Sequence, residues 1–426
     1  MEALLIAMAC ALLFCSVKGD DWWGEYQEGI RHYSDEDLNK MFPEKTRPMF
    51  FKHPPFQCPD MTPSATVPSS VEFVKAADIK VITALGDSMT TAVGANATTV
   101  LEIPIEFRHV SWSIGGYGTF QDAITLANII KLFNPNLLGA SPGQTMHGKE
   151  ADISETGFNL AVTGHNTFDL PGQTRELIDT LRRHEGLNFD EDWKLLTILI
   201  GMNDICDYCK DKALYSVDNF IHYITVSLEM LMNEVPRMIV NVVQILRMDF
   251  LREVEKPTPG CRLQRSFCPC LIEPVSNSPE LKEVIEVNLE FQRRLEKLLH
   301  SDRFFRKDFA VVLQPFPKHA EPPRLPNGKI DMTFFTHDCF HITIKGHEEL
   351  AKGLWNNMFQ PEGEKMIVTS FTEPLKLICP PEEHPYIFTR PVAAKSSPSL
   401  LHSKSTSPAA IVLLLLFFFT NISRYS

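Results

Sequence analysis

Short apolar runs alternate with longer stretches of helical periodicity through the middle of the chain. Four of these runs predict buried strands at residues 79–85, 195–200, 238–245 and 309–313. Apolar residues at three- and four-residue spacing predict helices over residues 213–234 and 279–299, and Pro279 suits the first position of the second helix. Strands separated by helices predict an α/β fold, with a mostly parallel sheet covered by helices on both faces.

This periodicity is lost on either side of the middle region. Residues 20–74 are rich in proline and aromatic side chains, which predicts an N-terminal extension packed on the core. One domain is expected over residues 75–360, interrupted by an excursion at residues 257–274 that is rich in cysteine and proline. Residues 361–395 are again aperiodic and predict a C-terminal wrap and stalk.

Both ends of the chain carry apolar runs too short to span a membrane. Small and polar residues follow the first run, so residues 1–19 predict a secretory signal peptide, with an ordinary buried helix as the alternative. The second run follows a polar spacer, and residues 396–426 predict a removed GPI-attachment signal. A short spanning anchor and an uninformative tail are the alternatives for residues 396–426. The candidate attachment residues are Ala394, Ser396 and Ser397.

Composition narrows the class of protein. With 426 residues, 44% of them hydrophobic, the chain is long and apolar enough to bury a large core, which excludes a disordered protein. Its formal net charge of −12 offers no basic surface for nucleic acid. We therefore expect no nucleic-acid partner, and no obligate protein partner is indicated.

Eight of the ten cysteines lie outside the predicted signal peptide. An even number in a secreted chain favours disulfides, although the sequence leaves their pairing open. The spacings Cys206-x-x-Cys209 and Cys268-x-Cys270 leave a four-thiolate zinc site as a weaker alternative. The sequon at Asn96 predicts a glycosylation site, in keeping with secretion.

Chemistry is concentrated in four short segments. The first predicted strand runs into Gly86-Asp87-Ser88, and ligands of open α/β sheets bind beyond such strand ends. Taken alone, this tripeptide is more typical of a helix cap than of a nucleophile. The second segment ends at Gly164, where a turn glycine would be the ordinary interpretation.

The remaining two segments supply an amide, a carboxylate and an imidazole. Asn203 follows the second predicted strand, where it would also suit a simple cap. Asp338 and His341 are three residues apart, a spacing that places a carboxylate beside an imidazole.

Together these segments contain the parts of an acyl-transfer site. Ser88 is the candidate nucleophile, His341 its base and Asp338 the acid that orients the base, with Asp87 as an alternative acid. The N–H groups of Ser88 and Gly164 and the Asn203 amide are candidate donors to an oxyanion.

In this order the four segments resemble the blocks of the GDSL, or SGNH, serine hydrolases. The resemblance covers about residues 65–360 and is strongest to the animal phospholipase B branch of that family. Its further matches lie at residues 79–88, 111–116, 133–136, 170–173 and 190–194. Two features depart from the family: Met89 stands where the motif has leucine, and the chain carries one copy of a domain that many members repeat in tandem.

The resemblance implies a flavodoxin-like three-layer α/β/α sandwich without cofactor or metal. It implies a serine ester hydrolase that acts on phospholipids and lysophospholipids, as phospholipases B, A1/A2 and lysophospholipases do. The two chain ends add the expectation that this enzyme is secreted or GPI-anchored at the cell surface. The alternatives are an esterase for retinyl, glyceride or other acyl esters, and a catalytically silent lipid-binding ectodomain. The expected partners are these lipid substrates and, through the C-terminal anchor, a membrane surface.

Overall fold

The computed structural model describes residues 52–389 of the chain. The predicted signal peptide and the candidate attachment residues Ala394, Ser396 and Ser397 lie outside these residues. The predicted domain boundaries at residues 75 and 360 stay predictions.

A five-stranded sheet in the order β1-β4-β5-β7-β6 forms the centre of the fold. Strands β1, β4, β5 and β7 are parallel, and the short β6 is antiparallel to β7. A separate antiparallel pair is formed by β2 and β3. The strands are β1 Ile79–Gly86, β2 Ile105–Glu106, β3 Thr145–Met146, β4 Trp193–Leu199, β5 Met238–Val243, β6 Phe305–Arg306 and β7 Phe309–Gln314.

All four strands predicted from the apolar runs are confirmed within about two residues, since they coincide with β1, β4, β5 and β7. Almost every residue of these strands is buried, because a parallel sheet is covered on both faces.

Ten α-helices occur in residues 52–389. They are α1 Ser88–Thr91, α2 Leu126–Phe133, α3 Ile153–Thr156, α4 Leu170–Arg183, α5 Met202–Asp207, α6 Val217–Glu234, α7 Pro259–Phe267, α8 Pro269–Ile272, α9 Pro279–Leu299 and α10 Ile344–Met358. Helix α6 packs between α4 and α9, and α2 packs against α10. The two groups cover opposite sides of the sheet, so the predicted α/β architecture is confirmed.

Capping explains where the two predicted helices begin. Helix α9 matches its predicted bounds, with Pro279 at the first position and the Ser278 side chain accepting from the Leu281 N–H. Helix α6 begins four residues later than predicted, because the Ser216 side chain accepts from the Asn219 N–H at 3.3 Å and ends the preceding turn.

The free edge of β1 is covered by two irregular segments. The Ile82 N–H donates to the Leu138 carbonyl at 2.9 Å, and the Leu160 N–H donates to the Ala84 carbonyl at 3.0 Å. The Val162 N–H continues this pairing onto the Gly86 carbonyl at 3.1 Å. The segment that leads to Gly164 is therefore held beside the end of β1.

Disulfides tie the aperiodic segments to the core. All eight described cysteines are paired, as Cys58–Cys379, Cys206–Cys268, Cys209–Cys270 and Cys261–Cys339. The prediction of disulfides is confirmed, and the thiols that a zinc ion would have needed are used in these bonds. Three of the four bridges hold the excursion at residues 257–274, which forms α7 and α8.

Candidate active site

Ser88 lies at the turn where β1 passes into α1. Gly86 has a φ of +148°, and a Cβ at this position would collide with the Leu199 carbonyl oxygen of the neighbouring strand. Only glycine fits both requirements. Asp87 then caps the helix, because its Oδ1 accepts from the Met89 N–H at 2.9 Å. The turn places Ser88 at the carboxyl end of the sheet, where it is almost completely buried.

The loop before α10 brings an imidazole and a carboxylate to this serine. His341 Nε2 is 2.8 Å from Ser88 Oγ, and His341 Nδ1 is 2.7 Å from Asp338 Oδ2. The other Asp338 oxygen accepts from the N–H groups of Phe340 at 2.9 Å and His341 at 3.0 Å, and from the Thr336 hydroxyl. Serine, histidine and aspartate thus form an unbroken series of hydrogen bonds.

The protonation of this series follows from its surroundings. Burial alone would raise the pKa of Asp338, but the facing His341 and the hydrogen bonds from His341, Thr336 and the Phe340 N–H outweigh it, and the pKa is lowered. An ionised carboxylate only accepts, so His341 Nδ1 donates to it and Nε2 is left to accept the Ser88 hydroxyl. This is the arrangement that activates a serine nucleophile.

Asp87 occupies a different environment. It is 1% exposed, and its Oδ2 has no hydrogen-bond partner among the described residues. Burial raises its pKa to about 7. The carboxylate in contact with the His341 ring is that of Asp338, while Asp87 caps α1.

Gly164 and Asn203 reach the same space from two further segments. Gly164 has a φ of +87°, and its Cβ position is open, with no atom within 4 Å. Asn203, in the first turn of α5, donates through Nδ2 to the His165 carbonyl at 2.9 Å. An amide nitrogen carries two hydrogens, so the same group keeps one for another acceptor.

Next to Asn203, Asp204 fastens α5 to the segment that follows Gly164. Its carboxylate accepts from the Thr167 N–H at 3.0 Å and from the Thr167 hydroxyl. Burial raises the pKa of Asp204 to about 6. The positions of the Asn203 amide and the Gly164 segment are therefore coupled.

Two cavities meet at Ser88. The polar cavity has a volume of about 680 Å³ and contains Ser88, Gly164, Asn203 and His341, so the structure brings the predicted residues of all four segments together. Its farther lining is charged and aromatic: His165, Phe168, Asp207, Lys210, Asp211 and Tyr215.

The apolar cavity lies on the other side of Ser88. Its volume is about 50 Å³, and it shares Ser88, Asn203 and Phe340 with the polar cavity. Its remaining walls are almost entirely apolar and include Met89, Leu246, Met248, Phe250, Phe335 and Ile342. An ester held at Ser88 would therefore have a charged cavity on one side and an apolar one on the other.

The excursion forms part of the site, which the sequence did not predict. Phe267, in α7, packs its ring edge-on to His341 at a centroid distance of 5.6 Å and lines the polar cavity. The excursion is bonded to α5 through Cys206–Cys268 and to the His341 loop through Cys261–Cys339. The one signal in the sequence was Cys339, which lies between Asp338 and His341.

Of the remaining predicted residues, Asn96 directly follows the buried residues 92–95 that come after α1, and it is half-buried. Its glycosylation stays a prediction. Among residues 52–389, no group of three or more His, Cys, Asp or Glu side chains is placed to hold a metal ion.

Comparison with known proteins places the chain among related sequences. Residues 82–354 match the family model described as GDSL-like Lipase/Acylhydrolase. The chain is 41% identical over 361 residues to "Phospholipase B1, membrane-associated" of Homo sapiens, an alignment that covers 83% of this chain and 24% of that protein. The Mus musculus protein of the same name is 39% identical over 340 residues, covering 78% and 23%. The chain thus spans about a quarter of the length of the curated relatives it matches.

Proposed function

The chain belongs to the GDSL-like lipase/acylhydrolase family, and on this premise we propose that it is a serine ester hydrolase that cleaves acyl esters of phospholipids and lysophospholipids. The observation that carries the proposal is the series of hydrogen bonds from Ser88 through His341 to Asp338. The names of the relatives support phospholipids as the substrate class.

In the proposed reaction, Ser88 Oγ attacks the ester carbonyl carbon while His341 Nε2 takes the hydroxyl proton. Asp338 stabilises the imidazolium that forms. The carbonyl oxygen becomes an oxyanion, to which the N–H groups of Ser88 and Gly164 and the Asn203 amide donate.

The imidazolium then gives its proton to the departing alcohol oxygen, and the acyl group remains on Ser88. Water attacks this acyl-enzyme with His341 again as the base, which releases the fatty acid and restores the serine hydroxyl.

The two cavities give the substrate an orientation. We assign the carbons of the acyl chain that adjoin the ester carbonyl to the apolar cavity, because burying methylene groups there removes them from water. The glycerol and head group then occupy the polar cavity, whose charged lining suits a hydrated, zwitterionic group.

The direct test compares the chain with its Ser88→Ala variant on lysophospholipid and phospholipid. We expect the wild type to release fatty acid and to bind a fluorophosphonate probe covalently at Ser88. Both should be lost in the variant. Hydrolysis by Ser88→Ala at the wild-type rate would contradict the proposal. If the wild type cleaves only retinyl or glyceride esters, the proposed reaction stands and the proposed phospholipid substrate is wrong. Absence of both hydrolysis and labelling in the wild type would favour a silent lipid-binding domain.

The four disulfides and the membrane-associated relatives indicate an extracellular or membrane-associated protein. No helix in the described part of the chain is long and apolar enough to cross a membrane. We propose that the chain enters the secretory pathway through residues 1–19, carries a glycan at Asn96, and is GPI-anchored at Ala394, Ser396 or Ser397. Release from cells by a phosphatidylinositol-specific phospholipase is the expected result, and retention in the membrane pellet would contradict the anchor.

A further inference from the structure

Beneath Ser88 and Gly164 lies a buried ion pair that belongs to none of the four segments. Glu106, at the end of β2, accepts from Arg108 Nη2 through Oε2 at 2.7 Å. The two side chains are only 5% and 8% exposed. Removing two charges from water is costly, so such a pair adds little net stability compared with apolar side chains of the same size. The hydrogen bonds of this ion pair to neighbouring segments indicate a role other than stability.

Arg108 holds the segment that leads to Gly164. Its Nη1 donates to the Asn159 carbonyl at 2.9 Å and to the Ala161 carbonyl at 3.1 Å. Glu106 Oε1 accepts from the Thr163 hydroxyl at 2.6 Å. Three contacts of the ion pair, with alternate residues, thus fall within the five residues before Gly164.

The same pair reaches the helix that begins with Ser88. Thr163 Oγ1 is 2.7 Å from Thr91 Oγ1, and Thr91 is the last residue of α1. Because the Glu106 carboxylate only accepts, Thr163 must donate to it. The Thr91 hydroxyl, which also lies 3.3 Å from the Ser88 carbonyl, then directs its hydrogen to Thr163 over the shorter distance. The direction of both hydrogen bonds is therefore fixed by the charge on Glu106. Burial would raise the pKa of Glu106, but the charge of Arg108 and the hydrogen bonds from the Thr145 and Thr163 hydroxyls and from Arg108 keep the pKa below its ordinary value.

We propose that Glu106 and Arg108 are positioning residues that fix the Gly164 N–H relative to Ser88 Oγ. This inference rests on the proposed function, in which both groups act on the same carbonyl. An oxyanion donor works because it is held in place before the charge develops, and a displacement of about 1 Å can cost about 10²-fold in rate.

The test uses two matched substitutions at Thr163 and one at Glu106. Thr163→Val keeps the shape of the side chain and removes the hydroxyl, whereas Thr163→Ser keeps the hydroxyl. We expect kcat to fall about tenfold in Thr163→Val and about 10- to 100-fold in Glu106→Gln, with KM within about twofold of wild type. Thr163→Ser should stay within about twofold of wild type in both constants.

Lys194 provides the control for a general loss of stability. It is buried at the start of β4, the end of the sheet opposite Ser88, where its Nζ donates to the carbonyls of Asp192 at 2.8 Å and Pro236 at 2.9 Å. Lys194→Met should lower the melting temperature and leave kcat within about twofold of wild type. The proposal would be overturned if Thr163→Val kept the wild-type kcat. It would also be overturned if Lys194→Met, at the same drop in melting temperature as Thr163→Val, lost as much kcat as Thr163→Val.

A second measurement separates this inference from the proposed reaction. Amide hydrogen exchange of Val162 and His165 should become faster in Glu106→Gln and Thr163→Val, and should not change in Thr163→Ser. If the wild type cleaves no ester, the proposed function fails and the exchange rates still decide the positioning role. Unchanged exchange rates in both Glu106→Gln and Thr163→Val would overturn the positioning role of Glu106 and Arg108.

Discussion

The two walls around Ser88 are held together by different means. The nucleophile wall consists of residues 86–91 and 159–164, which are joined by hydrogen bonds and by the buried pair Glu106–Arg108. The disulfide wall consists of residues 202–209, which include α5, the excursion and residues 336–341, and these segments are joined by three disulfides. Among the described residues, no disulfide reaches the nucleophile wall.

The two walls differ in their sensitivity to redox conditions and to the loss of single polar groups. Covalent bridges hold α5 and the His341 loop whatever the pH, but depend on an oxidising compartment. Buried charges and hydroxyls hold Ser88 and Gly164 in any redox environment, but depend on every donor and acceptor being present. Precise placement of the reacting groups requires both walls, because Ser88 lies in one and His341 in the other.

The largest effect on kcat should come from removing the hydrogen bond between Ser88 and His341, where the two walls meet. Ser88→Ala and His341→Ala should each lower kcat by on the order of 10⁴- to 10⁶-fold, and the double variant should lose no more than either single one, because the two groups act as a unit. Steady-state kinetics on a lysophospholipid would measure this. Losses that multiply in the double variant would show that the walls act independently.

The next effect should come from opening the disulfide wall. Cys261 and Cys339 are 78 residues apart, and replacing both with serine should lower the free energy of unfolding by about 4 kcal/mol on the chain-entropy model. Since Cys339 lies between Asp338 and His341, kcat should fall as well. Chemical denaturation and kinetics would be measured on the same samples.

The Cys58–Cys379 bridge is the matched control. It lies far from Ser88 in the chain and joins the segments before β1 and after α10. Replacing both of its cysteines should lower stability and leave kcat unchanged. Equal losses of kcat for the two pairs would mean that the bridges act only on overall stability.

In the nucleophile wall, Asp87 should make the free energy of unfolding depend on pH. Its pKa is about 7 when folded, above its ordinary value of 3.8, so the folded state holds a proton that the unfolded state has released between these values. The stability associated with this group is fully present below pH 3.8 and is lost as pH rises through about 7, by up to roughly 4 kcal/mol. Asp87→Asn, which can still cap α1, should remove this decline. An identical pH profile of unfolding in the variant would contradict the assignment.

The smallest effect concerns selectivity. Phe267 lines the polar cavity from the disulfide wall, whereas Phe250 lines the apolar cavity. Phe267→Ala should change kcat/KM by about tenfold between esters that differ in the alcohol, and Phe250→Ala by about tenfold between esters that differ in acyl chain length. Competition assays with paired substrates would measure both ratios. The reverse pattern would exchange the assignments of the two cavities.

The sequence predicted the parts of this molecule that are encoded locally. The strands β1, β4, β5 and β7 are continuous apolar runs, and α9 carries its own cap at Ser278. The four site segments were also visible, because two follow predicted strands, one ends a short apolar run in a glycine, and one contains a fixed spacing of residue types.

What the sequence did not predict depends on contacts between distant residues. Glu106 and Arg108 lie in a short segment that matches no motif, and their partners are about 40 to 60 residues away in the chain. The cysteine pairing is likewise set by the fold. The division into two cavities arises from side chains after β5 and before α10 that share no motif with Ser88.

The bridge between Cys58 and Cys379 has a mechanical consequence. The two residues are 321 positions apart, and the central sheet lies entirely between them. Tension applied between the chain before Cys58 and the chain after Cys379 passes through one sulfur–sulfur bond and bypasses the sheet. A pull on these two flanking segments would therefore leave Ser88 and His341 unloaded for as long as that bond is intact.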